Sequence, residues 1–280
     1  LADFPNVEEI GKRSNFRSAP AIVDVLNRLR PELPQHISDP EAYGEARFFH
    51  VNAYAGVRTN TGHSKADLPD AVKAPVTEAL KEQLIAEGWD FAPEKTKVLM
   101  LTHNALAAQQ GYPTIAAIFD RNEAFAKKED PTIAFLADTL EPMIRAYTGG
   151  HFGEMFRILG GKPPLSRHAN KVEWRNDMDR LNELRADGTV GDVLDYLKET
   201  QRPRLPDKVA LRENNIHQLG TEVLEGEEKY ITRHRRLRAV PYSEVVELVR
   251  FLEGHTPFAT QHSVKGAEFE NVLVLLGGGW

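Results

Sequence analysis

Two short segments carry residue types suited to phosphate and nucleotide chemistry. The first is Asn15-Phe16-Arg17-Ser18, followed by Ala19-Pro20. Arginine presents a fixed fork of N–H donors that matches a phosphate, and Phe16 offers a ring face on which a nucleobase can stack. The segment reads as a strand-to-helix junction, and in open α/β sheets such junctions line the ligand crevice. The plainer alternative is a surface arginine beside a core phenylalanine, with Ser18 as an ordinary helix cap. The second segment runs from Thr260 to Phe269. Thr260 and His262 share one face of a strand by period-two alternation. Gly266 permits a tight turn that presents backbone N–H groups to an anion. Lys265 adds positive charge, and Glu268 offers an acceptor to a ribose hydroxyl. A solvated loop with a Lys265–Glu268 pair is the plainer alternative here.

Other chemistries are absent from the sequence. The phosphate cradle G-x-x-x-x-G-K-S/T does not occur. Gly160-Gly161-Lys162 comes nearest, but Phe156 stands where the first glycine belongs and Pro163 where the hydroxyl belongs, so it reads as a turn between helices. There is no H-E-x-x-H and no G-x-S-x-G, and no cysteine for a thiolate metal site or a disulfide scaffold. No metal site is expected. No apolar run approaches the roughly 18 residues of a membrane span, and the lack of cysteine suits a reducing compartment, so a cytoplasmic protein with no membrane partner is expected. A net charge of -6 requires any nucleic-acid contact to be a local patch.

The elements that must position these segments follow from periodicity. Residues 7–16 are weakly strand-like. Ser18 and Pro20 open a helix whose apolar face is Ile22, Val23, Val25, Leu26 and Leu29, stopped by Pro31 and Pro34. A strand is expected over Ala46–Val51, a mobile loop over 54–70, and a helix through Val76, Leu80, Leu84 and Ile85 ending near Gly88. Residues 97–102 form the next strand, with Asn104 placed to cap a following helix. From about Tyr112 to about Arg238 the patterns are helical: Ile115, Ile118 and Phe119; Ile133, Leu136, Leu140 and Ile144; Val172, Met178, Leu181 and Leu184; and a capping box from Thr189 to Asp192. A helix over 243–253 and strands over 258–262 and 272–276 restore the strand–helix alternation of a parallel α/β sheet. The second of these strands is continuously apolar and reads as fully buried. The expected organisation is an α/β domain in two parts, 1–111 and 239–280, interrupted by a helical insertion at 112–238. The start at Leu1 and the apolar strand so near the C-terminus suggest a slice of a longer chain.

In this order, the two segments resemble motifs of the UvrD/Rep-type superfamily 1 DNA helicases. Motif IV of that family reads roughly N-Y/F-R-S-x-P, similar to Asn15 through Pro20. Motif V reads roughly T-x-H-x-x-K-G-x-E-F/W, and Thr260 through Phe269 resembles it at every specified position. Residues 97–110 are similar to the strand and helix between them, with Thr102 and Asn104 at the family's Thr and Asn. The resemblance implies a RecA-like second motor domain carrying a helical insertion.

The functions implied are those of one half of an ATP-dependent DNA motor, with DNA repair among the roles of its relatives. Arg17 is similar to the catalytic arginine that reaches the γ-phosphate across the cleft, a contact worth about 10³–10⁵ in rate in related systems. Phe16 stands where many members stack a tyrosine on adenine. Gly266 and Glu268 look like the nucleotide-contacting part of motif V, with the glutamate on the ribose. Thr260, His262 and Lys265 look like the hold on single-stranded DNA or a single/double-strand junction. ATP and Mg²⁺ would be bound mainly by the first, N-terminal motor domain of the same full-length chain, since the phosphate cradle and the magnesium-binding acids are not in this sequence. The resemblance also places the second phosphate-contacting arginine beyond Trp280. The run Arg233 to Arg238 is open to two readings, a duplex-DNA contact or a solvated basic face. Trp89 and Trp174 are expected in cores. The alternatives are an inactive helicase-like nucleic-acid scaffold, and a protein-interaction module whose partner binds the helical insertion.

Overall fold

The computed structural model describes residues 13–60, 66–100, 107, 109–119, 123–161, 168–219, 229–259, 264 and 266–276, and the chain divides after Arg58 into two units. Thr102, Asn104, Lys162, Pro163, Thr260, Gln261, His262 and Lys265 lie outside the described residues, as do residues 1–12 and 277–280. The architecture is α/β, rich in helix, with two small parallel sheets.

The first unit is a short strand–helix–strand turn. Strand β1 (Ser14–Asn15) pairs in parallel with β2 (His36–Ile37), and α1 (Pro20–Leu29) connects them. Pro20 occupies the first helical turn, where its missing N–H costs nothing. The N-cap is Ala19, with no side-chain cap, so Ser18 does not do the capping expected of it. Its backbone N–H instead donates to Asn15 Oδ1 at 2.9 Å, within a turn built by the asparagine. Val23 is the one fully buried residue of α1, and the expected apolar position Leu29 is exposed. No strand forms over 46–51, because Phe48, Phe49 and Val51 find no sheet to join and remain exposed.

In the second unit, α2 (Asp70–Ala86) tolerates Pro75 and ends where Gly88 takes a left-handed φ of 98°. Trp89 N–H then reaches back to the Leu84 carbonyl at 3.0 Å. Strand β3 (Thr96–Met100) leads to a helical stretch: α3 (Pro113–Ile118), α4 (Glu123–Ala126), α5 (Pro131–Phe135), a π-helical turn (Leu136–Leu140) running on into α6 (Glu141–Thr148), α7 (Phe152–Ile158), α8 (His168–Asp187), α9 (Val190–Thr200), α10 (Asp207–Leu219) and α11 (Lys229–Arg238). The chain continues through α12 (Tyr242–Leu252), β4 (Phe258–Ala259) and β5 (Asn271–Leu275). The capping box forms as expected: Thr189 and Asp192 each accept from the other's backbone N–H.

Two cores result. The large one belongs to the helices and takes in Tyr242, Val245, Leu248 and Val249 of α12, the helix expected to serve the sheet. Trp174 packs against it. The small one gathers Leu84, Val98 and Leu273, with Trp89 and Phe258 at its margin.

The sheet of this unit runs β4-β3-β5, parallel throughout, with Val98 opposite both Phe258 and Leu273. Residues on either side of the helical stretch therefore meet in one sheet. β5 is not the fully buried strand its composition suggests: Leu273 is 8% exposed, but Val272 and Val274 are 46% and 50% exposed. Leu84 of α2 packs on the Leu273 face, so burial alternates along the strand as in a sheet covered on one side. β1 is hydrogen-bonded to β2 and not to these three strands, so the single sheet expected from both chain ends is two sheets. A two-residue strand pairs with the strand that its own helix returns to it, the shortest closure open to it.

Candidate functional site

The candidate residues fall in two groups, one in each unit. In the first, Asn15 organises the backbone. Its Oδ1 accepts from the N–H of Arg17 and of Ser18, both at 2.9 Å, while its Nδ2 donates to Gln35 Oε1 at 2.6 Å. Gln35 is held in turn by Asn27, which accepts from its N–H at 2.7 Å and donates to its carbonyl at 3.0 Å. The asparagine thus mimics a backbone turn and is locked to α1 and to the approach to β2. The product is a fixed bend from which Phe16 projects with 84% of its surface exposed. Arg17, one residue on, is exposed as well. Gly44 closes against the start of α1, where a Cβ would lie 2.4 Å from that of Ala19.

In the second group, the connection from β4 to β5 leaves the carboxyl end of one parallel strand and returns to the amino end of another. Gly266 adopts a left-handed φ of 89°, and Ala267 N–H closes a turn on the Val264 carbonyl at 3.0 Å. Only glycine takes that conformation without strain. Glu268 is exposed just after the turn, and Phe269 returns toward the sheet. Thr260, His262 and Lys265, the expected DNA contacts, lie outside the described residues.

An uncovered ring and a guanidinium on a rigid bend suit the outer side of a bound nucleotide, an aromatic face with a cation beside it. A phosphate cradle is absent from the sequence. Among the described residues no group of three or more His, Asp and Glu side chains gathers to hold a metal ion, and no helix is long and apolar enough to cross a membrane.

The basic run of α11 is largely engaged within the helical stretch. The Arg233 guanidinium lies 5.5 Å from the Phe119 ring centre, and Arg236 donates to the Ala117 carbonyl at 3.4 Å. Arg238 bridges Glu213 and Asp195. A groove of about 220 Å³ lined by Lys198, Gln201, Arg204, Leu205, Ala210 and Asn214 contains none of the expected residues.

Sequence reasoning missed Lys97. Its ammonium donates to the Thr256 carbonyl at 3.4 Å and lies 5.4 Å from the centre of the Phe269 ring. Burial lowers its pKa from the ordinary lysine value, against a smaller upward pull from Glu94. The one local signal was a lysine set beside the apolar residues Val98-Leu99-Met100 of β3, and it names none of the partners. No family model, no curated protein and no solved structure matches the chain.

Proposed function

We propose that this chain is the second motor domain, RecA-like with a helical insertion, of an ATP-dependent DNA helicase or translocase of UvrD/Rep type. The observation that carries the reading is the position of β3 between β4 and β5: a parallel sheet assembled from residues on both sides of an all-helical stretch. The Asn15 turn and the Gly266 turn support it, the first directly after β1 and the second within the connection from β4 to β5. In this reading Arg17 meets the γ-phosphate of an ATP held by the first motor domain, Phe16 stacks on its base, and Glu268 contacts the ribose. Single-stranded DNA is gripped by its backbone through Thr260, His262 and Lys265, so binding is largely independent of sequence and weakens with salt. Nucleotide binding then closes the cleft and shifts that grip along the strand, and hydrolysis releases it.

The test is DNA-stimulated ATP hydrolysis by the intact protein. Arg17→Ala lowers turnover by about 10³-fold or more while the folded state persists, because the side chain is exposed. Turnover equal to the parent's overturns the reading. The 280-residue chain alone hydrolyses no ATP, because it lacks a phosphate cradle.

A further inference from the structure

The segment leading into β5 is pinned from outside the motif that contains it. Lys97 sits on β3 opposite Val272. Its ammonium touches the two stretches that bound the β4–β5 connection: the Thr256 carbonyl, two residues ahead of β4, and the ring of Phe269, two residues ahead of β5. A cation over an aromatic face is attracted by the ring quadrupole, the more so where water is partly excluded. Beside it, Asn271 N–H donates to the Lys95 carbonyl at 3.0 Å and Val98 N–H to the Pro257 carbonyl at 2.8 Å. The backbone zips both strands onto β3 at the same level, and Lys97 adds the side-chain contact that reaches one residue short of Glu268.

We propose that Lys97 is a positioning residue, a clamp that seats the Gly266–Glu270 segment and so fixes where Glu268 is presented. The clamp itself stands on the contacts of Lys97; its consequence for nucleotide binding rests on the function proposed above. A lysine suits this task better than an apolar residue. A methionine could cover the Phe269 ring but could not donate to Thr256. Glu94 lies in the turn just ahead of β3, Lys95 is paired with Asp90 at 3.0 Å, and Glu268 and Glu270 flank Phe269 on the segment it holds.

The clamp gives a spectroscopic signature. In the 280-residue chain, the Phe269 ring protons shift with pH in step with the Lys97 side-chain signal, at a pH below the ordinary lysine range. Lys97→Met moves the Phe269 resonances and abolishes their titration. Lys97→Arg keeps them near their parent positions and also abolishes the titration, because guanidinium stays charged. Phe269 resonances that ignore pH and are unmoved in Lys97→Met overturn the clamp. If Lys97→Met fails to fold, the arginine variant and the parent titration decide. In the intact protein, Lys97→Met raises KM for ATP by about tenfold with kcat little changed. An unchanged KM alongside a normal Phe269 titration upholds the clamp and removes Glu268 from the nucleotide site.

Discussion

His234 Nε2 lies 2.7 Å from Glu213 Oε1, and solvent reaches neither side chain. The second oxygen of Glu213 accepts from Arg238, whose other nitrogen bonds Asp195 at 2.7 Å. On the far side of the imidazole, Nδ1 faces Thr132 Oγ1 at 3.4 Å. Arg212 reaches the same hydroxyl at 3.4 Å and Asp130 at 2.7 Å, and Asp130 caps α5 through the N–H groups of Thr132 and Ile133. Four helices, α5, α9, α10 and α11, are tied by one polar chain. The order Thr132–His234–Glu213 has the outline of a hydrolytic relay, but the hydroxyl is fully buried, so no substrate can reach it. The arrangement is structural: the imidazole bridges Thr132 and Glu213, and Glu213 also holds Arg238, so these buried groups find their partners within the helical stretch.

Removing the carboxylate breaks that balance. In Glu213→Ala, the buried His234 Nε2 loses its partner, while Arg238 keeps its contact with Asp195. A loss of about 1–3 kcal/mol is expected, read as a fall in the urea midpoint followed by helical circular dichroism. A change within about 0.5 kcal/mol, the range of ordinary surface substitutions, would show that the pair is not coupled to the fold.

Two helical glycines give opposite signs under the same substitution. Gly191 lies in the first turn of α9, where a Cβ would meet the Arg238 carbonyl oxygen at 2.9 Å. Gly153 lies in α7, with nothing within 4 Å of an added Cβ. Alanine gains up to about 1 kcal/mol of helix propensity in either place. At Gly191 the close approach of α11 wins, because overpacking costs about 1–3 kcal/mol. Gly191→Ala therefore lowers the thermal midpoint and Gly153→Ala raises it or leaves it unchanged. Two midpoints moving together would mean that α9 and α11 do not approach as closely as they do here.

What the sequence made legible was local. The capping box at Thr189, the stop at Gly88, the turn at Gly160-Gly161 and the three strands of the second sheet each follow from a few neighbouring residues, and each forms. What escaped depends on partners distant in sequence. Glu244 accepts from the N–H groups of Thr114 and Ile115 at 2.9 and 3.0 Å, capping α3 from the start of α12, which no window around Pro113 could reveal. The Arg233–Arg238 run reads as a solvated or DNA-facing surface until Phe119, Glu213 and Asp195 are brought against it. Ala46–Val51 has the composition of a strand but no edge to pair with. In the candidate site, the strand-to-helix junction after Asn15 and the turn at Gly266 were readable, but not the hold of the Asn15 side chain on the N–H groups of Arg17 and Ser18. The hold of Lys97 on Phe269 was not readable either, because it crosses between strands that only the fold makes neighbours.

The capping box also predicts how stability responds to acid. Thr189 donates to Asp192 Oδ2 through its N–H at 2.8 Å and its hydroxyl at 2.7 Å, and Asp192 N–H returns to the hydroxyl at 3.2 Å. The backbone N–H, then the hydroxyl, hold the Asp192 pKa below the ordinary aspartate value. A carboxylate whose folded pKa is depressed stabilises the fold fully above its unfolded pKa, about 3.9, and loses that contribution as pH falls through the lower folded value. Asp192→Ala should cost about 1 kcal/mol at neutral pH. The gap between parent and variant should then narrow as pH is lowered from about 5 to about 2. Asp192→Asn keeps an acceptor but no charge, so its own box should not titrate. Urea midpoints for the three proteins across that range make the comparison. A gap between parent and Asp192→Ala that stays constant with pH would mean that the carboxylate is not ionised in the box, and that a neutral hydrogen bond alone holds the start of α9.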